Sequence, residues 1–582
     1  MNPTRPLFSL PATARLFLKP KPKGSYIRTF AVSASRAMPE YKLKDLTSLS
    51  LQPGDKKEVE VEGIEGGAKV LVVNAGGSIQ ALGPHCTHYG APLVKGVLAK
   101  GGRLTCPWHG ACFNAKTGDV EDAPALDALP TFKVVERDGA VYVQGEEGLI
   151  KAGKRSPTFK CSKAPAPDAD RVVVVGGGSG ALGLVEGLRV CGFGGSITMI
   201  SNEGYLPIDR PKLSKALITD QAKIQWRDAE FFKSGSVDVV QDEVVDVDLA
   251  NKTVLTKSKE RYPYTKLVLA TGGAPRSLPV QGFKVLGNIF VLRTIHDTKN
   301  IVNAIGEKGK KIVIIGSSFI GMEIAKATSS DNDVTIVGQE SVPLERVLGE
   351  EVGGGIQKLM EGTGVKFHML AGVEKAEPKE SDPSVVGSVV LKDGTKLKAD
   401  LVILGVGVAP STEYLKENKV VRLEEDGSLK VDENYLVAGL KDVYAIGDIA
   451  KFPYHGPGGE GTYTRIEHWN VAQNQGRGVA RHIVNPSLKG EFFTPVFWSA
   501  LTGQLRYCGS TANGWDDLVL QGNLAEGKFV AYYCKGDTVV AVASMMVDPA
   551  MSKAAQLMKM GAMPSKGELK NGLNILDVAL PA

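Results

Sequence analysis

Two short apolar strands, each followed by a turn of small residues and then a helix, constrain the fold of this 582-residue chain most strongly. The strands cover residues 171–175 and 311–315. The small residues of the turns are Gly176, Gly178 and Ala181 in the first, and Gly316, Ser318 and Gly321 in the second. Because a helix that begins at such a turn directs its free backbone N–H groups toward it, a phosphate can bind there. The pattern predicts two α/β units that each bind a dinucleotide.

The first unit carries a further sign of dinucleotide binding. A second strand covers residues 196–201, and Glu203 near its end is placed to bind an adenosine ribose, with Asn202 as an adjacent rival. One such unit occurs in many enzymes. Two units imply two dinucleotides, which must meet for hydride transfer.

Three more strands end in glycine turns, and they cover residues 269–276, 404–410 and 443–448. Together with the two units, these segments resemble the two-dinucleotide flavoproteins, which have Rossmann-like domains. The resemblance implies that the turn formed by Ala270, Thr271 and Gly272 contacts FAD. It also implies that Asp448 hydrogen-bonds the ribityl chain of FAD.

Four stretches indicate a closer relationship, and they cover residues 206–215, 465–469, 472–477 and 497–499. They resemble the ferredoxin-reductase and apoptosis-inducing-factor-like branch, over residues 170–582. The residues that this resemblance places beside the cofactors are Arg210, Lys215, Trp469 and Trp498 at FAD, and Glu323 and Glu467 at the nicotinamide. For the two tryptophans, packing in a core is the alternative.

Nearer the N terminus, two loops each supply one cysteine and one histidine. Cys86 and His88 form a C-x-H pair, and Cys106 and His109 form a C-x2-H pair. A Rieske cluster binds two cysteines on one iron and two histidines on the other, whereas a structural zinc site would hold all four on one ion. Short strands between glycine turns surround the loops and predict a small β-sandwich.

Residues 41–146 resemble the Rieske domain, and this resemblance favours a [2Fe–2S] cluster over zinc. Ala91 and Trp108 stand where the respiratory-chain branch has the two cysteines of a disulfide. Ala111 and Phe113 stand where that branch has two hydroxyl donors. Because fewer hydrogen bonds to the sulfurs lower the potential, we expect a value toward the low end of the roughly −150 to +300 mV Rieske range.

The first 40 residues carry seven of the 69 basic residues and one of the 64 acidic ones. This composition predicts a mitochondrial transit peptide, with a disordered basic tail on a cytoplasmic protein as the alternative. The remainder is close to neutral, so we expect no nucleic-acid partner. No apolar run approaches the ~20 residues that a transmembrane helix needs, and seven cysteines without a secretory leader argue against a disulfide framework.

The predicted fold class is an all-β Rieske domain followed by two Rossmann-like α/β dinucleotide-binding domains and a small α+β C-terminal domain. The predicted boundaries are a transit peptide at 1–40, the Rieske domain at 41–146, a linker at 147–169, the FAD-binding domain at 170–298 and 398–488, the NAD(P)H-binding domain at 299–397, and the C-terminal domain at 489–582. The linker is expected to let the Rieske domain approach the rest of the chain while staying separately folded.

These features predict an oxidoreductase that passes electrons from NAD(P)H through FAD to its own Rieske cluster and on to an unknown acceptor. A disulfide reductase would need a cysteine pair beside the first FAD helix, and residues 210–217 have none. Gly338 replaces the acid that usually binds the NAD ribose, with Gln339 or Glu340 as substitutes; no arginine follows directly, so NADH is favoured.

A different class is a signalling or death-effector protein in which redox activity is secondary, as the resemblance to apoptosis-inducing factor permits. An oxygenase would require a mononuclear iron site with two histidines and a carboxylate, and the eight histidines show no such grouping. The sequence determines neither the terminal acceptor nor the oligomeric state.

Overall fold

The computed structural model describes residues 38–159 and 169–581. The predicted transit peptide lies outside these residues except for its last three positions, and so does most of the second half of the predicted linker. Among the described helices, none combines the length and the apolar character needed to cross a membrane.

Two antiparallel sheets form the N-terminal domain. The larger sheet has the spatial order Glu40–Lys42, Ala140–Gln144, Thr131–Arg137, Ser78–Leu82, Lys69–Ala75 and Lys56–Glu60. The smaller has the order Val97–Leu98, Arg103–Thr105, Cys112–Asn114 and Val120–Asp122. Buried and exposed side chains alternate at the start of Thr131–Arg137, because one face of this strand packs on the core. The strands predicted around the cysteine–histidine loops are confirmed.

The helix Glu147–Ala152 lies in the range predicted as a linker. Its Ile150 is buried against the larger sheet, and Arg155 pairs with Ala128 of the N-terminal domain. The packed N-terminal domain therefore extends to Arg155, because the apolar face of this helix covers the end of its core.

The first α/β unit is a parallel sheet of five strands. Their order is Val237–Gln241, Ser196–Ser201, Arg171–Val175, Lys266–Leu269 and Val443–Ala445. The helix Ser179–Cys191 begins at the first glycine turn, as predicted. It packs tightly on the helix Trp469–Val484, since a Cβ at Gly476 would lie 2.2 Å from the carbonyl oxygen of Gly180.

The second α/β unit is also a five-stranded parallel sheet. Its order is Ile289–Val291, Leu401–Leu404, Lys311–Ile315, Asp333–Val337 and Lys366–His368. The first two of these strands lie outside the range 299–397 predicted for this unit. They belong to it because Ile289–Val291 pairs with Leu401–Leu404, which in turn pairs with Lys311–Ile315. Neighbouring strands in a parallel sheet are commonly distant in sequence.

The C-terminal part is a five-stranded antiparallel sheet covered by a helix. The strands have the order Val496–Ala500, Gln504–Gly509, Thr538–Met545, Lys528–Lys535 and Asp517–Asn523. The helix Ala550–Lys559 covers one face of this sheet, and its Met551 and Leu557 are buried in the same core as Val542.

Four further sheets and six further α-helices are present in the described residues. The sheets contain the strands Val244–Asp248, Thr253–Thr256 and Arg261–Pro263; Gly273–Pro275 and Val408–Pro410; Val373–Lys379, Asp382–Leu391 and Lys396–Lys398; and Leu429–Lys430, Ala450–Tyr454 and Thr462–Thr464. The other helices are Pro211–Lys215, Ala229–Ser234, Ile295–Ile305, Phe319–Thr328, Glu345–Glu361 and Lys566–Lys570.

The N-terminal domain is docked on the rest of the chain. Arg227 of the first α/β unit lies between two carboxylates, 2.6 Å from Glu186 and 2.8 Å from Asp127 of the N-terminal domain. The hydroxyl of Ser552 in the C-terminal part donates to the backbone oxygen of Cys106 over 2.7 Å. Because buried charges are costly to leave unpaired, the ion pairs of Arg227 fix the docked position.

Candidate functional site

A cavity of about 1440 Å³ lies where the two α/β units meet the C-terminal sheet. Both glycine-rich loops of the first unit open into it, at residues 176–180 and 270–275. The second unit contributes Glu323 from its first helix, and the C-terminal sheet contributes Trp498. The cavity is large enough for more than one ligand of cofactor size, since ordinary ligand pockets measure about 300–1,000 Å³.

The first glycine turn leaves an open cradle at the cavity wall. Gly176 has φ +123°, and a Cβ there would lie 2.1 Å from the carbonyl oxygen of Ala270. A Cβ at Gly178 would meet no atom within 4 Å. Since Gly178 lies directly before the helix Ser179–Cys191, the empty space beside it suits a phosphate group. Ala181 is buried inside that helix, as the close packing of helix on strand requires.

Glu203 and Arg210 form an ion pair in the cavity wall. The Nη2 atom of Arg210 lies 2.6 Å and 2.9 Å from the two carboxylate oxygens of Glu203. Its Nη1 atom donates to the backbone oxygen of Arg293 over 2.5 Å. The sequence assigned the acid to the ribose and the arginine to the flavin, and the structure brings the two side chains together.

Asp448 lines the same cavity. It accepts a hydrogen bond from Arg293 over 2.8 Å and is 8% exposed. Gly272 has φ +70°, and a Cβ there would lie 2.7 Å from an Nη2 atom of Arg293. The hydroxyl of Thr271 donates to the carbonyl oxygen of Ser411 over 2.7 Å. The three residues of the predicted FAD turn and Asp448 thus lie together in the cavity.

Glu323 is buried and fully engaged. Its carboxylate lies 2.9 Å from Nζ of Lys215 and accepts hydrogen bonds from Ser214 and from Ser499, the latter over 2.6 Å. These contacts join the second α/β unit, the segment 206–215 and the C-terminal sheet at one carboxylate. Because a buried charged group is costly to leave unpaired, the contact between Lys215 and Glu323 stabilises this part of the cavity wall.

Glu467 also lines the cavity. Burial raises the pKa of its carboxyl, although Arg465 donates to it and opposes this shift. Arg465 also donates to the backbone oxygen of Asp448 over 3.0 Å. The sequence stretch 465–469 therefore forms one continuous part of the site.

Two buried tryptophans line the cavity. Trp469 is 9% exposed and Trp498 is 3% exposed, and the indole Nε1 of each is buried without a hydrogen-bond partner among the described residues. A buried indole N–H usually has a partner. Both rings line the cavity, but their indole nitrogens point into protein rather than into the open space.

The second glycine turn lies away from the cavity wall. Gly316 has φ +109°, and a Cβ there would lie 2.3 Å from the carbonyl oxygen of Gly405. The hydroxyl of Ser318 donates to the same oxygen over 2.9 Å. A Cβ at Gly321 would lie 2.3 Å from the carbonyl oxygen of Gly316. The turn and its helix are thus packed as closely as a dinucleotide-binding turn requires.

The four cysteine and histidine residues come together in pairs. The thiols of Cys86 and Cys106 interact with each other, and the Nδ1 atoms of His88 and His109 lie 3.1 Å apart. All four side chains are buried. Burial lowers the pKa of both imidazoles, that of His88 to about 3, so they are neutral and able to bind a metal. The grouping of two thiols and two imidazoles fits a binuclear cluster with two ligands on each iron.

Trp498 connects the cavity to these histidines. Its ring centroid lies 4.4 Å from that of His109 and 5.5 Å from that of His88. On the other side it lies 4.9 Å from the ring of His468, which lines the cavity. His468 was not predicted as a site residue, although it stands between Glu467 and Trp469. Its position inside that stretch was the available signal.

Comparison with known proteins agrees with this arrangement. Residues 41–133 match the family described as the Rieske [2Fe-2S] domain, and residues 170–476 match the family described as pyridine nucleotide-disulphide oxidoreductase. Apoptosis-inducing factor 3 of Homo sapiens is 38% identical over 527 residues, which cover 89% of this chain and 84% of that protein. Rubredoxin-NAD(+) reductase of Pseudomonas putida is 29% identical over 60% of this chain and 89% of its own.

A solved structure resembles the same part of the molecule. In the crystal structure of the covalent putidaredoxin reductase–putidaredoxin complex, the matched chain superposes with a TM-score of 0.64 at 27% identity. The match covers 69% of this chain and 95% of that one.

Proposed function

This chain belongs to the pyridine nucleotide-disulphide oxidoreductases, as a member that carries a Rieske domain in front of the reductase, and from this premise we propose which residues bind its cofactors. It is an NAD(P)H oxidoreductase that uses FAD and a 2Fe–2S cluster. The cofactors supply hydride acceptance at the flavin and one-electron transfer at the cluster.

The proposed FAD contacts follow from the cavity wall. The open space beside Gly178 receives the pyrophosphate, and Asp448 and the turn at Thr271 bind the groups between the phosphates and the flavin. Lys215, beside Glu323, supplies positive charge at the flavin end. Arg210 pairs with Glu203 and therefore lies nearer the ribose that Glu203 is proposed to bind. The ion pair of Lys215 with Glu323 fixes both side chains, so that this wall is ordered before a ligand binds.

For the nicotinamide, we propose the space between Glu323 and Glu467, with Trp498 beside the flavin. The NADH preference rests on Glu340, which follows the strand Asp333–Val337. Its carboxylate lies 2.8 Å from Arg346 and accepts a hydrogen bond from Ser317 over 3.4 Å. A carboxylate at this position suits the free 2′-hydroxyl of NADH and repels the 2′-phosphate of NADPH.

One observation carries the proposed route of electrons. Trp498 contacts both proposed histidine ligands of the cluster and also lines the cavity that would hold the flavin. The reductase and its one-electron acceptor are therefore in contact within one chain. NAD(P)H electrons pass through FAD to the Rieske cluster of the same molecule.

The test is an anaerobic titration of the purified protein. We expect FAD and the 2Fe–2S cluster in equal amounts, because each site is complete in one chain. Addition of NADH should produce the electron paramagnetic resonance signal of a reduced Rieske cluster, and NADPH should do so more slowly. Zinc in place of iron, or a cluster that dithionite reduces and NADH does not, would contradict the proposal.

We also propose a mitochondrial location, supported by the basic segment at residues 1–40. Deletion of residues 1–30 should leave the folded protein intact but abolish its import, since the segment precedes the packed domains. Unchanged fractionation of the truncated protein with mitochondria would show that the address lies elsewhere.

A further inference from the structure

Three of the four proposed cluster ligands face the rest of the chain. The rings of His88 and His109 lie against Trp498 of the C-terminal sheet. The backbone oxygen of Cys106 accepts the hydrogen bond from Ser552. The side of the cluster site that faces the flavin cavity is therefore covered, and an external acceptor has no access to it in the docked arrangement.

Cys86 has a different environment, because it also lines a second cavity of about 310 Å³. Among the described residues, only those of the N-terminal domain line this cavity, and we call it the outer cavity. Its other lining residues are Ala68, Lys69, Pro84, His85, Thr87 and residues 150–154. It shares no described lining residue with the flavin cavity, and of the four proposed ligands only Cys86 lines it, although the Cys86 side chain is buried.

The lining of the outer cavity is basic. Lys69, Lys151 and Lys154 contribute three positive charges, His85 is exposed, and none of the described lining residues carries a carboxylate. Each lysine has an acidic neighbour outside the cavity, at distances of 2.9 Å, 2.7 Å and 3.4 Å. Lys69 and Lys151 are solvent-exposed in their pairs, and exposed ion pairs contribute about 0–1 kcal/mol, so these two lysines can exchange their neighbours for carboxylates of a partner. Lys154 instead pairs with the buried Asp127.

We propose that the outer cavity is the exit through which the cluster passes electrons to an acidic one-electron acceptor protein. The proposal rests on the function proposed above, because it assumes that NADH reduces the cluster. In each transfer the reduced cluster loses one electron and the acceptor gains one, so no bond forms or breaks and no further reactant is needed. Electrons enter the cluster on the side of the histidines and leave it on the side of Cys86.

A protein fits the outer cavity better than a small molecule. Ligand pockets generally bury 70–90% of a small ligand, whereas Lys69, His85, Lys151 and Lys154 are all exposed around this shallow opening. The space accommodates one or two acidic side chains. The surrounding lysines would then align the partner by charge complementarity.

The test uses the soluble haem domain of cytochrome b5 as an acidic acceptor and cytochrome c as a basic one. With NADH as the donor, the wild-type protein should reduce cytochrome b5 faster than cytochrome c, and salt should slow this reaction. The double variant Lys69→Glu/Lys151→Glu should reduce cytochrome b5 about tenfold more slowly, because it repels the acceptor. NADH should reduce its cluster at the wild-type rate.

A matched control reverses two exposed lysines on the reductase, each also paired with an acid. The variant Lys233→Glu/Lys366→Glu has the same net charge and should behave as wild type. A double outer-cavity variant that reduces cytochrome b5 as fast as wild type would overturn the proposal, and so would a wild-type protein that favours cytochrome c or reduces neither. Lysine-dependent reduction of Co(EDTA)⁻ without reduction of cytochrome b5 would identify a small anion instead. Failure of NADH to reduce the wild-type cluster would refute the proposed function itself.

Discussion

Cys106→Ser is expected to abolish the cluster and every reaction that depends on it, while NADH still reduces ferricyanide at close to the wild-type rate. The cluster needs a thiolate from each loop, so the loss of one leaves an incomplete ligand set. The side chain of Cys106 is 1% exposed and does not line the flavin cavity, and the hydrogen bond to Ser552 across the interface uses its backbone oxygen, which serine keeps. The flavin site should therefore keep its structure.

The measurements are the iron content, the visible spectrum and the rates with two acceptors. Ferricyanide takes electrons directly from flavin, whereas cytochrome b5 is proposed to depend on the cluster. Cys112→Ser is the matched control, because Cys112 is equally buried in the same loop and is not a proposed ligand. If the Cys106 variant reduced every acceptor as fast as wild type, the Rieske domain would serve sensing or docking rather than electron transfer.

Gly178→Val is expected to prevent FAD binding and leave a cluster that dithionite reduces but NADH does not. A Cβ at this position meets no protein atom within 4 Å, and φ is −87°, so valine fits the folded chain. Its methyl groups would fill the space proposed for the pyrophosphate. Overfilling a packed site costs about 1–3 kcal/mol, which corresponds to roughly five- to 150-fold weaker binding.

Gly176, two residues earlier, provides a contrasting substitution that should affect the fold rather than FAD binding. Gly176→Ala places a Cβ 2.1 Å from the carbonyl oxygen of Ala270 and should destabilise the fold itself. Gly178→Ala should weaken FAD binding less than Gly178→Val, since it adds one methyl group. The flavin content after gel filtration and the melting temperature distinguish the two kinds of effect. Full flavin occupancy in Gly178→Val would show that the phosphate lies elsewhere.

Much of the candidate site was predictable because its signals are local in sequence. The spacing of Cys86 with His88 and of Cys106 with His109 predicted four ligands, and the structure brings these residues together in pairs. The strand–turn–helix context of Gly176 predicted the position of the open cradle. In both cases a few adjacent residues determine the geometry.

The contacts between distant segments were not predictable. Asp127 and Arg227 form an ion pair across the domain interface, but each is an ordinary charged residue in its own segment. The composition of residues 147–155 indicated a linker, and only the burial of Ile150 shows that this segment belongs to the folded domain. The place of the strand Ile289–Val291 in the second α/β sheet was unpredictable for the same reason. Its pairing partner, the strand Leu401–Leu404, is remote in sequence.

The docking of the Rieske domain by Arg227 and Ser552 changes the kinetic order of the reaction. A separate ferredoxin must diffuse to its reductase, so the rate of transfer varies with the concentrations of both proteins. Here the two partners are always made in a one-to-one ratio and remain at a high effective concentration within each molecule. Internal transfer therefore becomes a first-order step, independent of how dilute the protein is, and only the encounter with the final acceptor still depends on abundance.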